Sequence, residues 1–273
     1  MDFGEVSRRG LVLLGCGKMG GAMLDGWLGD GLPPAAVTVL EPRPSPALEA
    51  RVAAGLRLNA DLPADPAVAV LAVKPQMMGD ALPRLAALGG GGTLFVSIAA
   101  GTTLAALEAV LGTGTPIVRA MPNTPASIGR GITALLGNAA VDAAGLALAE
   151  GLLAAVGRTV RIGSESELDA ITALSGSGPA YVFLLIEAMA AAGEAQGLAP
   201  ELARTLARAT VVGAGALAES AGATPAAQLR ADVTSPGGTT AAALEVLMAP
   251  GGLTDLLSRA VAAGAARSRE LAG

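Results

Sequence analysis

The sequence predicts an α/β chain in two parts: a doubly wound parallel sheet over residues 1–163 and an all-α part over residues 164–273. Three observations predict it. Short apolar runs alternate with helical stretches from residue 11 to residue 162, the order expected of strands joined by crossover helices. A glycine-rich turn, Gly15-Cys16-Gly17-Lys18-Met19-Gly20, directly follows the first apolar run. Beyond residue 164 the strand pattern stops, and apolar helical stretches divided by Gly, Pro and Ser replace it.

Residues 11–14 are a buried-strand pattern, and residues 22–28 are helical until Gly29 and Gly31 end them. The glycine turn between them is G-x-G-x-x-G in the context of strand, tight turn and helix. That arrangement brings backbone close to a pyrophosphate lying on the helix N-terminus. Gly15, Cys16, Gly17, Lys18, Met19 and Gly20 are therefore candidate cofactor-binding residues of a Rossmann-like domain. Residues 37–40 form the second strand and run into Glu41-Pro42-Arg43. An acidic residue about 20 positions after the turn suits the ribose hydroxyls of NAD, whereas Arg43 suits a 2′-phosphate. The two cues conflict, so NADPH and NADH both stay open; a solvated Glu–Arg pair at a strand end is the plainer alternative.

Residues 68–73 make a continuous apolar strand closed by Lys74-Pro75. Lys74 then stands at the carboxyl end of a parallel strand, where such sheets bind ligands. A strand at 93–98, the turn Ala99-Ala100-Gly101 and a helix at 102–111 come next. A strand at 116–120 and the polar loop Met121-Pro122-Asn123-Thr124-Pro125 follow. Strands at 132–136 and 159–162, with a helix at 142–156 between them, complete the first part.

In the second part, Leu174-Ser175-Gly176-Ser177-Gly178-Pro179-Ala180-Tyr181 is a small-residue turn opening a helix, with Pro179 near its first turn. The helix at 180–196 is apolar almost all round, so it must be buried. A part this small has little room to bury several such helices, so those at 180–196 and 200–221 are expected to pack against a second subunit. Asp232-Val233-Thr234-Ser235-Pro236-Gly237-Gly238-Thr239-Thr240 reads as a loop feeding a helix at 241–247, with Thr239 or Thr240 as N-cap. A helix start among four hydroxyls suits a carboxylate; an ordinary capped loop is the alternative. A last helix covers 254–271.

Composition narrows the chemistry further. The chain has 52% apolar residues but only three Phe, one Tyr and one Trp, so Ala, Leu and Val must build its core. A net charge of −5 and no basic cluster argue against nucleic acid or an anionic membrane as partner. The single cysteine, Cys16, excludes internal disulfides and Cys-cluster metal sites. The absence of histidine excludes His triads, His-based zinc sites and His general acids, and no metal is expected. Lys18 and Lys74 are the only lysines. No stretch is a credible membrane span: the apolar run at 180–193 carries Glu187. Ser7-Arg8-Arg9 and Leu13-Leu14-Gly15-Cys16 mimic export signals, but the apolar segment is shorter than the about 7–15 residues such a signal needs. A cytoplasmic location is expected.

Six segments, in this order and spanning nearly the whole chain, resemble the pyrroline-5-carboxylate reductases, enzymes of the last step of proline biosynthesis. They are residues 15–20, Ala72-Val73-Lys74-Pro75, Ser97-Ile98-Ala99-Ala100-Gly101, residues 119–125, residues 174–181 and residues 233–240. The resemblance implies a nicotinamide-binding domain followed by a helical dimerisation domain. It also implies a homodimer that can assemble further, as far as a decamer. It implies that Gly15–Gly20 bind pyrophosphate, that Asn59 reaches the adenosine ribose, and that Ala72, Val73, Lys74 and Ala100 line the nicotinamide half, with Pro179 beside it. Ser235, Gly238, Thr239 and Thr240 are implied to hold the substrate carboxylate of pyrroline-5-carboxylate, with Thr240 the proton donor or orienting hydroxyl at the ring nitrogen. Glu41 departs from the small polar residue expected there. The segment Ala226-Ala227-Gln228-Leu229 runs one residue longer than the family norm, so no substrate residue upstream of Val233 is carried over.

The implied chemistry suits the composition. A protonated cyclic imine accepts hydride without a strong acid or base, so orientation of the reactants can carry the reaction. Two rivals fit less well. A β-hydroxyacid dehydrogenase is understood to use a lysine in its C-terminal domain, and none follows Lys74. A cofactor-binding regulatory protein would be expected to lose the carboxylate loop, which is intact here.

Overall fold

The computed structural model describes residues 3–271. It divides into two compact units, one running to Gly176 and taking in the residues from Gly264, the other comprising Ser177–Ala263. In the first, α1 (Gly4–Arg9) leads to β1 (Leu11–Leu14), α2 (Lys18–Gly29), β2 (Val37–Leu40), α3 (Pro46–Ala50) and β3 (Arg57–Leu58). There follow β4 (Val68–Leu71), α4 (Pro75–Ala81), β5 (Leu94–Ser97), α5 (Leu104–Leu111) and β6 (Ile117–Met121). Then come β7 (Gly131–Gly137), α6 (Ala143–Ala154), β8 (Gly157–Arg161), α7 (Glu167–Ile171) and a five-residue π-type turn, Thr172–Gly176.

The strands form one sheet in the order β3-β2-β1-β4-β5-β6-β7-β8. All neighbours are parallel except β6 and β7, which run antiparallel. The chain winds outward from β1 in one direction, returns to β4 and winds outward in the other. This is the doubly wound sheet expected, and it opens a crevice at the carboxyl ends of β1 and β4 where the winding reverses. The antiparallel step at β7 and the short β3 were not legible as such, because β3 has two residues and one is the exposed Arg57.

Alternation along β1 explains its unbroken apolar run. Leu11 and Leu13 join a core with Met23, Leu24 and Trp27 of α2 and Leu152 of α6. Val12 and Leu14 join a second core with Met78, Leu85 and Leu107. A parallel strand covered on both faces favours apolar residues on both. The Trp27 indole donates from Nε1 to the Leu152 carbonyl at 2.8 Å, tying α2 to α6. Gly26 allows that approach, since a Cβ there would stand 2.8 Å from the Ala155 carbonyl oxygen. Arg9 of the Arg8-Arg9 pair has a structural use: its guanidinium pairs with Glu5 and Asp65 and donates to the Gly92 carbonyl at 3.0 Å.

The second unit holds α8 (Gly178–Ala195), α9 (Pro200–Ser220), α10 (Ala226–Asp232) and α11 (Thr239–Leu247); the division between units falls within α12 (Leu253–Leu271). α8 and α9 pack on each other through small residues, among them the buried Ala190, Ala203 and Ala207. Large apolar side chains remain on the surface of the single chain, with Phe183 at 60% and Leu184 at 63% exposure. The expectation that these helices need a further partner therefore has its basis in their uncovered faces. By length and composition alone, the helical run Glu167–Ala195 is long and apolar enough to cross a membrane.

Replacing Trp27 with Phe removes the indole N–H while keeping an aromatic ring. The buried Leu152 carbonyl then loses its partner. Chemical denaturation followed by circular dichroism is expected to show a loss of about 1–3 kcal/mol.

Candidate functional site

The three glycines of the turn are there for three different reasons. Gly15 donates its N–H to the Leu40 carbonyl at 2.9 Å and sits at φ +90°. A Cβ there would meet Val73 Cγ1 at 2.8 Å and the Ala72 carbonyl oxygen at 2.9 Å. Gly20 lies against the turn itself, where a Cβ would come within 2.5 Å of the Gly15 carbonyl oxygen and 3.2 Å of Ala72 Cβ. Gly17 is the N-cap of α2, and a Cβ there would have no atom of the chain within 4 Å. Chain packing thus accounts for Gly15 and Gly20 but gives no reason for Gly17. Bare backbone at the positive end of a helix without acidic residues in its first turn fits a phosphate group.

This turn forms one wall of a cleft of about 710 Å³. Gly15, Cys16, Gly17 and Lys18 line it from the turn, Glu41 and Arg43 from beyond β2, and Ala72, Val73 and Lys74 from beyond β4. Glu41 is held firmly there. Its carboxylate accepts from the Cys16 N–H at 2.9 Å and from the Arg43 N–H at 3.1 Å. Asn59 grips the Glu41 main chain from behind, accepting its N–H and donating to its carbonyl, both at 2.9 Å. Asn59 adopts φ +50° to do so and is not among the residues lining the cleft. The Cys16 thiol is pushed up to about 11, chiefly by burial, with Glu41 and Asp25 acting in the same direction and Arg51 against it. It is therefore protonated at neutral pH and adds no negative charge to the glycine turn.

Of the remaining expected cofactor residues, Met19 packs against the core and Gly20 is buried behind the turn. Ala100 lies half-buried in the loop after β5, and Pro179 is in the first turn of α8 in the other unit. Sequence reading missed the ion pair of Asp25 and Arg51, both of which line the cleft, together with Ser45, Met77 and Ser127. Arg51, a cation soon after the second strand, was the available signal. In the middle of β6, the nearly buried Arg119 pairs with Glu165, whose carboxylate also accepts from the Leu104 N–H at 2.8 Å. Asn123 accepts from the Ile132 N–H at 3.0 Å and donates to Ser175 Oγ at 3.3 Å, fixing the polar loop to the π-type turn.

In the second unit, the expected loop-to-helix segment is present, but its cap differs. The N-cap of α11 is Gly238, not Thr239 or Thr240. Gly237 turns the chain at φ +67°, and the Gly238 N–H closes on the Ser235 carbonyl at 3.0 Å. Thr239 and Thr240 consequently fall inside the first turn, where backbone N–H groups have no intrahelical acceptor. No side chain caps this helix. The Thr234 hydroxyl instead donates to the Arg230 carbonyl at 2.6 Å and closes α10.

Known proteins share both halves of this arrangement. A chain from Pseudomonas aeruginosa named pyrroline-5-carboxylate reductase is 42% identical over 267 residues, covering 96% of each chain. This chain belongs to the pyrroline-5-carboxylate reductase family. Family models match in two places: pyrroline-5-carboxylate reductase dimerisation over residues 165–271, and NADP oxidoreductase, coenzyme F420-dependent, over residues 10–101. A pyrroline-5-carboxylate reductase structure from Coxiella burnetii superposes with a TM-score of 0.89 at 37% identity, covering 96% of this chain and 98% of its own. The Plasmodium falciparum reductase, solved with NADP bound, gives a TM-score of 0.82 at 28% identity, covering 98% and 99%. Pyrroline-5-carboxylate reductases are NAD(P)-dependent oxidoreductases, and the dimerisation match supports self-association of this chain.

The glycines separate binding from folding. Gly17→Ala is expected to unfold like the parent chain yet weaken nicotinamide nucleotide binding by about tenfold or more. Gly20→Ala is expected to lose about 1–3 kcal/mol of stability from overpacking. Equilibrium unfolding and nucleotide titration of both variants check this.

Proposed function

We propose that this chain reduces the cyclic imine of pyrroline-5-carboxylate to L-proline, the last step of proline biosynthesis. The observation that carries this reading is the presence, in one chain, of a glycine turn with bare backbone at the start of α2 and a hydroxyl-rich start of α11 without a side-chain cap. NADPH or NADH supplies the hydride when bound. The turn from Gly15 to Gly20 holds the pyrophosphate by backbone N–H groups at the start of α2. Ala72, Val73, Lys74 and Ala100 border the nicotinamide end. Ser235, Gly238, Thr239 and Thr240 receive the substrate carboxylate through hydroxyls and the N–H groups that open α11.

A chain without histidine has few groups that donate a proton near neutral pH. The reaction asks little of it, because a protonated imine already accepts hydride. Orientation then supplies most of the acceleration. Thr240 acts as a hydrogen-bonding partner at the ring nitrogen more than as a general acid, since a hydroxyl holds its proton tightly. The cofactor and substrate parts divide near residues 163 and 164. The exposed apolar faces of α8 and α9 are covered by a second copy in a homodimer, and dimers build further, up to a decamer. The apolar run Glu167–Ala195 serves that interface rather than a bilayer, which agrees with Glu187 in its course and with the dimerisation match over it. The enzyme works in the cytoplasm and needs neither nucleic acid nor a membrane.

Steady-state oxidation of NADPH and NADH with pyrroline-5-carboxylate tests the reading: turnover with at least one is expected, and turnover with neither contradicts it. Thr240→Val is expected to lower kcat by at least about tenfold. A rate within twofold of the parent would remove Thr240 from the mechanism.

A further inference from the structure

A dinucleotide lying on the glycine turn brings its adenosine ribose to the end of the second strand, the one position that distinguishes NADH from NADPH. In this chain Glu41 is fixed at that position. Its two carboxylate oxygens accept from different backbone donors, the Cys16 N–H at 2.9 Å and the Arg43 N–H at 3.1 Å. The carboxylate cannot swing aside without breaking both bonds. Nor can its main chain shift, because the Asn59 carboxamide holds both the N–H and the carbonyl of Glu41.

The chemistry of the two nucleotides then separates them. Ribose hydroxyls donate to a carboxylate. A 2′-phosphate has only oxygens to offer and sets negative charge against negative charge at short range. The nearby cations do not offset this. Arg51 is already paired with Asp25, and Lys18 lies in the glycine turn, where the pyrophosphate calls on it. Only the Arg43 guanidinium, exposed at the cleft edge, is left to face a 2′-phosphate, and with Glu41 in place the neighbouring carboxylate counters its charge. Resting on the cofactor reading of this cleft, we propose that Glu41 selects NADH over NADPH, with Asn59 as the positioning residue that keeps its carboxylate in place.

Fluorescence titration of the full chain with NADH and with NADPH, in the absence of substrate, tests this. The parent chain is expected to bind NADH at least about tenfold more tightly than NADPH, a gap within reach of one unrelieved like-charge contact. Glu41→Gln keeps the shape and removes the charge; it is expected to strengthen NADPH binding and bring the ratio to within about threefold of unity. Arg43→Gln in the Glu41→Gln background is expected to reverse that gain for NADPH and leave NADH unchanged, because Arg43 is the cation left to meet the phosphate. Equal or tighter binding of NADPH by the parent chain overturns the proposal, whatever the variants do. So does a ratio that Glu41→Gln leaves unmoved. Binding of neither nucleotide would overturn the cleft reading itself, whereas binding of both in the wrong order overturns only the selectivity.

Discussion

The carboxyl edge of the sheet is shaped by how closely the glycine turn approaches the strand beside it. At Gly15 the turn lies against Ala72 and Val73 so tightly that no side chain fits, and Gly20 brings α2 down onto the turn in the same way. These two contacts fix where α2 begins. They therefore fix where its unpaired N–H groups point, and they leave Gly17 as bare backbone facing the cleft. The other walls follow from the sheet topology: β2 and β4 both flank β1, so the segments after them, Glu41 to Arg43 and Ala72 to Lys74, converge on the same space. A looser turn would separate α2 from β4 and open the cleft.

Rigidity there has a chemical purpose. With no histidine, one cysteine and two lysines, the chain commands little acid–base power. The thiol is kept protonated by burial and is a wall, not a reagent. What the proposed reading asks of the residues is position: backbone donors for phosphate, hydroxyls and helix N–H groups for a carboxylate, and at Glu41 a carboxylate held still by backbone donors. Reduction of an activated C=N bond is a reaction for which position suffices. The bonds of Asn123 to Ser175 and Ile132 extend the same principle to the loop after β6, and the Arg119–Glu165 pair ties the middle of that strand to the segment after β8.

Much of this was legible in the sequence because the relevant patterns are local. β1 and β4 are wholly apolar buried runs, β2, β5 and β6 are largely so, and the long helices α8, α9 and α12 begin and end close to where glycine and proline place them. What was not legible depends on contacts distant in sequence. β3 exists only because β2 offers it an edge. The cap of α11 passes from Thr239 or Thr240 to Gly238 because Gly237 turns the chain one residue earlier than hydroxyl preference suggests. Glu41 and Asn59 were each legible as ribose-site candidates. Their mutual clasp was not, since it joins residues from the ends of two neighbouring strands. The pairing of Asp25 with Arg51 was hidden for the same reason.

Labelled hydride transfer tests the central claim most directly. The purified chain would be given pyrroline-5-carboxylate with NADH or NADPH carrying deuterium at both C4 positions of the nicotinamide, and the product examined by mass spectrometry and NMR. The account predicts L-proline with one deuterium at ring carbon 5, formed in step with loss of the reduced nucleotide. Reduced nucleotide consumed without labelled proline, or bound without being consumed, would contradict it.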